Sequence, residues 1–193
     1  VSIPRGGSSD KRDATGWLHR SLGRPIVICN RLIANDEGIE MVDILHRVGI
    51  RAARADVYES LATTKGVAAW WTTDTTGTSE VGSSFDTTFR HGQTGELLGG
   101  FRLRVEELDP ARRVRWLVED GPAEWIGTHI DFDLTDEDGW TVVMFRHLGW
   151  SDPVPFMHHC STKWAVFLMS LKHLHEDGAG EPSPDDVTIS NWH

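Results

Sequence analysis

"SDPVPFMHHCSTKWAVFLMSLKHLHEDG" (Ser151 to Gly178) carries the longest sustained pattern in the chain. Phe156, Cys160, Trp164, Phe167, Leu171 and Leu174 recur every three or four residues, the spacing of one face of an amphipathic helix. Ser151 or Asp152 can cap its start with Pro153 in the first turn, and Gly178 can end it. Lys172, His173 and His175 suit the negative end of the helix dipole. Such a stripe needs an apolar partner, and the partner has to come from upstream.

Upstream the period falls from 3.6 to 2. In "GFRLRVEEL", Phe101, Leu103 and Val105 alternate with Arg102, Arg104 and Glu106; in "RRVRWLVE", Val114, Trp116 and Val118 alternate with arginines. "WIGTHIDFDL" sets Ile126, Thr128, Ile130, Phe132 and Leu134 against His129, Asp131 and Asp133, and "SSFDTTFRH" and "WTVVMFRHLGW" read as further strands. "LDPARR", "EDGP" and "DEDG" supply the turns. A two-residue Asp138-Gly139 turn, or a four-residue loop from Asp136 to Gly139, keeps Thr141, Val143, Phe145 and His147 inward; a three-residue loop would invert that strand.

Before the meander, "VDILHRVGIR" (Val42 to Arg51) alternates as a strand with Ile44, His46, Val48 and Ile50 on one face. "RADVYESLAT" follows as a helix with Val57, Tyr58 and Leu61, and Thr64 can cap a second short helix carrying Val67, Trp70 and Trp71. The order predicts an α+β domain. Its antiparallel sheet is apolar on one side, and the long helix alone is large enough to cover that side. On the outer face, Glu106 is expected opposite Arg113, with Arg113 also near Asp131, as solvated cross-strand pairs.

The formal charge of −10 repels phosphate backbones and argues against a nucleic-acid partner. No run of about 18 apolar residues exists, so membrane insertion is not expected. Only Cys29 and Cys160 are present, too few for a disulfide framework, and a reducing cytoplasm is the expected compartment. Residues 1–40, with the Gly/Ser-rich "PRGGSSDKRDATG", read as a poorly ordered N-terminal extension that an upstream start could have added. Residues 41–178 are the expected folding unit and 179–193 a polar surface tail.

"MVDILHRVGI…ADVYESLATTKGVAAWWT", "FRLRVEELDPARRVRW", "WIGTHIDFDL" and "TVVMFRHLGW…KWAVFLMSLKHLHEDGAGEP" together resemble the START-like (SRPBCC) superfamily. They are most similar to the branch named after the heat-shock-protein-ninety ATPase activator. The resemblance spans about Met41 to Pro182 and rests on dispersed apolar and aromatic positions, which mark a fold better than an activity. It departs from the family at "AARADVY", which lacks the usual Ser-Pro-Glu type helix cap. It implies a helix-grip (Bet v 1-like) fold: a curved antiparallel sheet around a long C-terminal helix, with two short helices after the first strand. Such folds often hold an apolar cavity between sheet and helix.

Within that fold the expected ligand-binding residues are Trp71, Phe101, Trp116, Thr128, Phe145, His147, Phe156 and Trp164, an aromatic set with few polar points. Trp70 and Trp71 diverge by about 100° on a helix. Either one indole packs in the core while Trp71 stands at the cavity mouth, or both are core. His147 is the polar residue to orient a ligand or relay a proton, against the plainer reading of a satisfied core histidine. "HHC" (His158 to Cys160) lacks converging ligands for zinc, neither cysteine has a reactive-thiol signature, and Asp131/Asp133 and Asp185/Asp186 read as solvated acids. No catalytic constellation, metal or cofactor is expected. The leading expectation is a binder of a small hydrophobic molecule; a co-chaperone-like protein-interaction domain and a cyclase- or hydrolase-like enzyme using His147 are the alternatives.

Overall fold

The computed structural model describes residues 40–192 and the two-residue strand β1 (Ile33–Ala34), with side chains from Val42 to Trp192. The remaining expectations for residues 1–40, Cys29 included, lie outside the described residues. The elements that follow are β2 (Glu40–Ile50), α1 (Arg54–Ala62), α2 (Thr64–Ala68), β3 (Asp74–Gly77) and β4 (Ser84–Arg90). Then come β5 (Leu97–Asp109), β6 (Arg113–Asp120), β7 (His129–Glu137), β8 (Trp140–Trp150) and α3 (Pro155–Glu176). Every pairing is antiparallel, in the order β1-β2-β8-β7-β6-β5-β4-β3. The sheet curves around α3 in a helix grip, with α1 and α2 after the first long strand.

Bulges explain the curvature. Register shifts interrupt β2/β8 at Val42/Ile44, β4/β5 at Phe89/Arg90 and β5/β6 at Val105/Glu107, and each extra residue bends its strand. α3 is held on the inner face by apolar burial of Met157, Cys160, Trp164, Phe167, Leu168 and Leu171. Polar ties fix its rotation: His46 Nε2 donates to the Ser161 carbonyl (3.0 Å), and Lys172 Nζ donates to the Gly49 carbonyl (2.8 Å). The Asp138-Gly139 turn has two residues, both at positive φ (50° and 79°), the type that suits a twisted hairpin. Thr141, Val143, Phe145 and His147 are accordingly buried, and Met144 is exposed.

Several local expectations are corrected. The second short helix is capped by Thr63, whose hydroxyl accepts from Gly66 N at 3.0 Å, and not by Thr64. α3 starts at Pro155 with Val154 as N-cap, because a residue before proline disfavours helical angles and the first turn tolerates the missing N–H. β7 begins at His129. Gly127 at φ +85° breaks the alternation, so Trp125 turns inward while Ile126, expected inside, is 51% exposed. β3, an edge strand on β4, was not expected at all.

The outer face also differs from expectation. The β5–β6 hairpin pairs Asp109 with Arg113, with Ala111 left-handed at φ 57°, and the Val105/Glu107 bulge shifts the register. Glu107, not Glu106, therefore reaches Arg113 (3.2 Å), while Glu106 meets Arg115 (3.5 Å) and His129 (3.2 Å). Asp131 is not solvated: its side chain is 1% exposed, beneath Arg113 (2.8 Å), Arg115 (3.4 Å) and Arg146 (3.5 Å). Arg146 also pairs with Asp133. Three guanidiniums, two from β6 and one from β8, roof one carboxylate of the β7 strand between them.

Candidate functional site

A cavity of about 1030 Å³, with an aromatic floor and a polar rim, lies where the β4–β5 end of the sheet faces the first half of α3. That volume is at the upper end of the ~300–1,000 Å³ usual for small-molecule sites. Its floor is Trp71, Phe89, Phe101, Trp125, Trp164 and Phe167. The rings are in continuous contact: Trp71 stacks on Phe101 at 6.0 Å and tilts against Trp164 at 5.0 Å, and Phe101 stacks on Trp125 at 4.1 Å. Phe156 and Cys160 extend the α3 wall. Burial pushes the Cys160 thiol up to about 12, so it is an apolar wall group and not a nucleophile.

Both tryptophans of the pair are buried, yet they do different things. Trp70 points into the core and donates from Nε1 to the Ser60 carbonyl (2.9 Å). Trp71 is the cavity floor, not its mouth; the expected mouth position is corrected by its 1% exposure. The rim is formed by Arg90 to Gln93, Leu98 to Gly100, Asp120 to Pro122 and the C-terminal segment.

Of the eight residues expected at the site, the structure brings Trp71, Phe101, Phe156 and Trp164 to the cavity wall. Trp116, Thr128, Phe145 and His147 pack in the buried core and do not line the cavity. His147 is enclosed on all sides. Trp164 Nε1 donates to its Nδ1 (3.2 Å), which leaves the proton on Nε2 to be donated to Thr128 Oγ1 (2.8 Å). Thr128 in turn donates to the Trp125 carbonyl (2.5 Å). Burial drives the His147 pKa down to about 3, so the imidazole is neutral and fully engaged. It holds Trp164 directly and Trp125 through Thr128, two of the floor rings, and does not line the cavity.

Phe89, Trp125, Cys160, Lys163 and Phe167 are cavity residues that the expected set omits. Cys160 and Phe167 share the α3 stripe with Trp164, so helical spacing alone was enough to find them. Trp125 was hidden by the glycine turn that reverses its strand parity. Nothing local marks Lys163 or the C-terminal residues, because only the fold brings them together. Among the described residues no cluster of three or more His, Cys, Asp or Glu side chains could hold a metal, and no helix is long and apolar enough to cross a membrane.

The C-terminal segment is not a loose tail. Ser183 pairs with Thr72 in an isolated bridge, donates from N to the Trp71 carbonyl (2.9 Å) and accepts from Thr73 N (3.0 Å). Glu181 N donates to Ser170 Oγ (2.7 Å), which itself donates to the Trp70 carbonyl (2.8 Å). Lys163 on α3 pairs with Asp186 and donates to the Val187 carbonyl (3.0 Å), and Ser190 and Trp192 rest on His159. Pro184 to Asp186, Thr188, Ser190 and Trp192 thereby form one side of the cavity.

A family profile described as "Activator of Hsp90 ATPase homolog 1-like protein" matches residues 51–176, more than half of the chain. The chain belongs to this family. The Aha1 dimer from Colwellia psychrerythraea, solved in solution, is 41% identical with a TM-score of 0.63, over 72% of this chain and 99% of that one. Two more distant structures share the fold: CalU16 from Micromonospora echinospora (16% identity, TM-score 0.62, 82% of this chain and 79% of that one) and SSP2350 from Staphylococcus saprophyticus (17%, 0.57, 72% and 94%). No match was found among curated proteins. The segment from Asp177 onward lies beyond the family match.

Proposed function

We propose that this Aha1-like domain binds a small, mainly hydrophobic molecule in the cavity between its sheet and α3. The observation that carries the reading is the continuous aromatic floor of Trp71, Phe101, Trp125 and Trp164 beneath an open volume of about 1030 Å³. Four of the eight large exposed apolar side chains among the described residues support it, since Leu98 and Trp192 line the cavity and Leu97 and Val187 adjoin its lining residues. Titration with 1-octanol tests it through the indoles of the floor. Saturable quenching or shift of tryptophan emission, weakened in Phe101→Ala, is the expected result; a linear response identical in both proteins overturns it.

A second reading, a protein-interaction domain of co-chaperone type, is favoured by the family membership and by the relative solved as a dimer. Adding this protein to an Hsp90-type chaperone and measuring ATP turnover tests that reading. Stimulation that survives substitutions on the cavity floor would move the function from the cavity to the surface.

A further inference from the structure

We propose that the Asp186 carboxylate holds the place of an anionic headgroup, so that the cavity's ligand is a carboxylate with an apolar body that exchanges with the C-terminal strap for Lys163. The proposal rests on the cavity reading above and names the ligand class for it. Lys163 projects from α3 into the cavity wall one turn from Phe167, with its ammonium 5.6 Å from that ring. Its side chain is only 17% exposed, so its charge needs a partner. Asp186, itself 9% exposed, supplies that partner. Arg90, the arginine of the lining, is tied to Asp74 of β3 (3.1 Å) and does not compete for this role.

The strap is built in two halves of unequal hold. Residues 180–184 are tied to the body through their own backbone groups: Glu181 N to the Ser170 hydroxyl, and Ser183 to the backbone of Trp71 and Thr73. Any side chain at Gly180 would collide with the Ala69 carbonyl, and one at Gly92 would come within 2.9 Å of the Pro184 carbonyl. Residues 185–192 are instead held on α3 by side-chain contacts of Lys163 and His159, together with the Lys163 bond to the Val187 carbonyl. A carboxylate arriving with its apolar body on the aromatic floor can replace Asp186 at Lys163 with charge conserved. The distal half can then lift while the proximal half keeps it tethered.

Octanoate and 1-octanol, matched in chain length, separate headgroup from cavity. Both are titrated against the full chain, Asp186→Asn and Lys163→Met by calorimetry, with thermal unfolding to confirm that each variant is folded. Removing the competing carboxylate in Asp186→Asn is expected to tighten octanoate about tenfold, and Lys163→Met to weaken it about tenfold, the weight of one charge-assisted hydrogen bond. The alcohol's affinity stays within about twofold throughout, since its hydroxyl gains no ion pair. If acid and alcohol change in parallel, strap release alone acts and the headgroup assignment is overturned. The same holds if octanoate ignores both substitutions while the alcohol binds. Should neither compound bind any of the three proteins, the cavity reading itself fails and takes this proposal with it.

Discussion

His147 shows how one residue can be placed on the expected face of its strand and still lie off the cavity. Strand alternation and the Asp138-Gly139 turn put it inside, and it is inside. Its two bonds, from Trp164 and to Thr128, occupy both nitrogens, so it braces the Trp164 ring of the floor. Its pKa of about 3 lies below the ordinary 6.5, so between these values the unfolded chain holds a proton that the native state excludes. Its stabilising share is therefore present above pH 6.5 and is lost as pH falls toward 3, by up to about 1.4 kcal/mol per pH unit. His46 and His175, whose pKa values burial also lowers, act in the same direction. Urea unfolding at pH 7 and pH 5 is expected to show the loss, with a shallower slope in His147→Phe. Equal slopes would mean that the imidazole is hydrated. Arg113 carries the opposite lesson. As an exposed pair it would be worth less than about 1 kcal/mol, but it covers the buried Asp131 carboxylate. Arg113→Ala is expected to cost about 2–3 kcal/mol, below the 3–5 of a fully buried pair because Arg115 and Arg146 remain. Arg47→Ala, which breaks an exposed pair with Glu137, is the control at under about 1 kcal/mol.

At the scale of elements, periodicity made the long helix and six of the strands legible. Burial on one side imposes a period that local sequence cannot hide. The failures fall where a backbone conformation interrupts that period. Gly127 at φ +85° flipped Trp125 inward, and the Val105/Glu107 bulge moved the charge pairs by one residue. β3 has too few residues to show a pattern, and the C-terminal strap owes its place to partners more than 20 residues away in Lys163 and more than 100 away in Trp71. Within α3, Trp164 is both the stripe's largest buried side chain and the donor to His147. Trp164→Ala is expected to cost about 3–5 kcal/mol in chemical denaturation, as large aromatic truncations do. A cost below about 1 kcal/mol would mean that α3 is not docked by this face.

For the whole molecule, one sheet, one long helix and a strap border a space whose floor is set by residues from α2's exit, β4, β5, the β6–β7 turn and α3. Deleting residues 1–40 removes β1, which pairs with β2 through Ile33 and Ala34 at the sheet edge. The shortened chain beginning at Met41 is expected to unfold cooperatively within a few degrees of the full chain, and loss of cooperativity would place part of that segment in the core. The most direct test of the cavity as a ligand site is nuclear Overhauser contact between isotope-labelled protein and unlabelled 1-octanol. Contacts to the ring protons of Trp71, Phe101 and Trp164, with none to Trp116 or Phe145, are the predicted result. Contacts confined to the outer sheet face, or none at saturating alcohol, would contradict it.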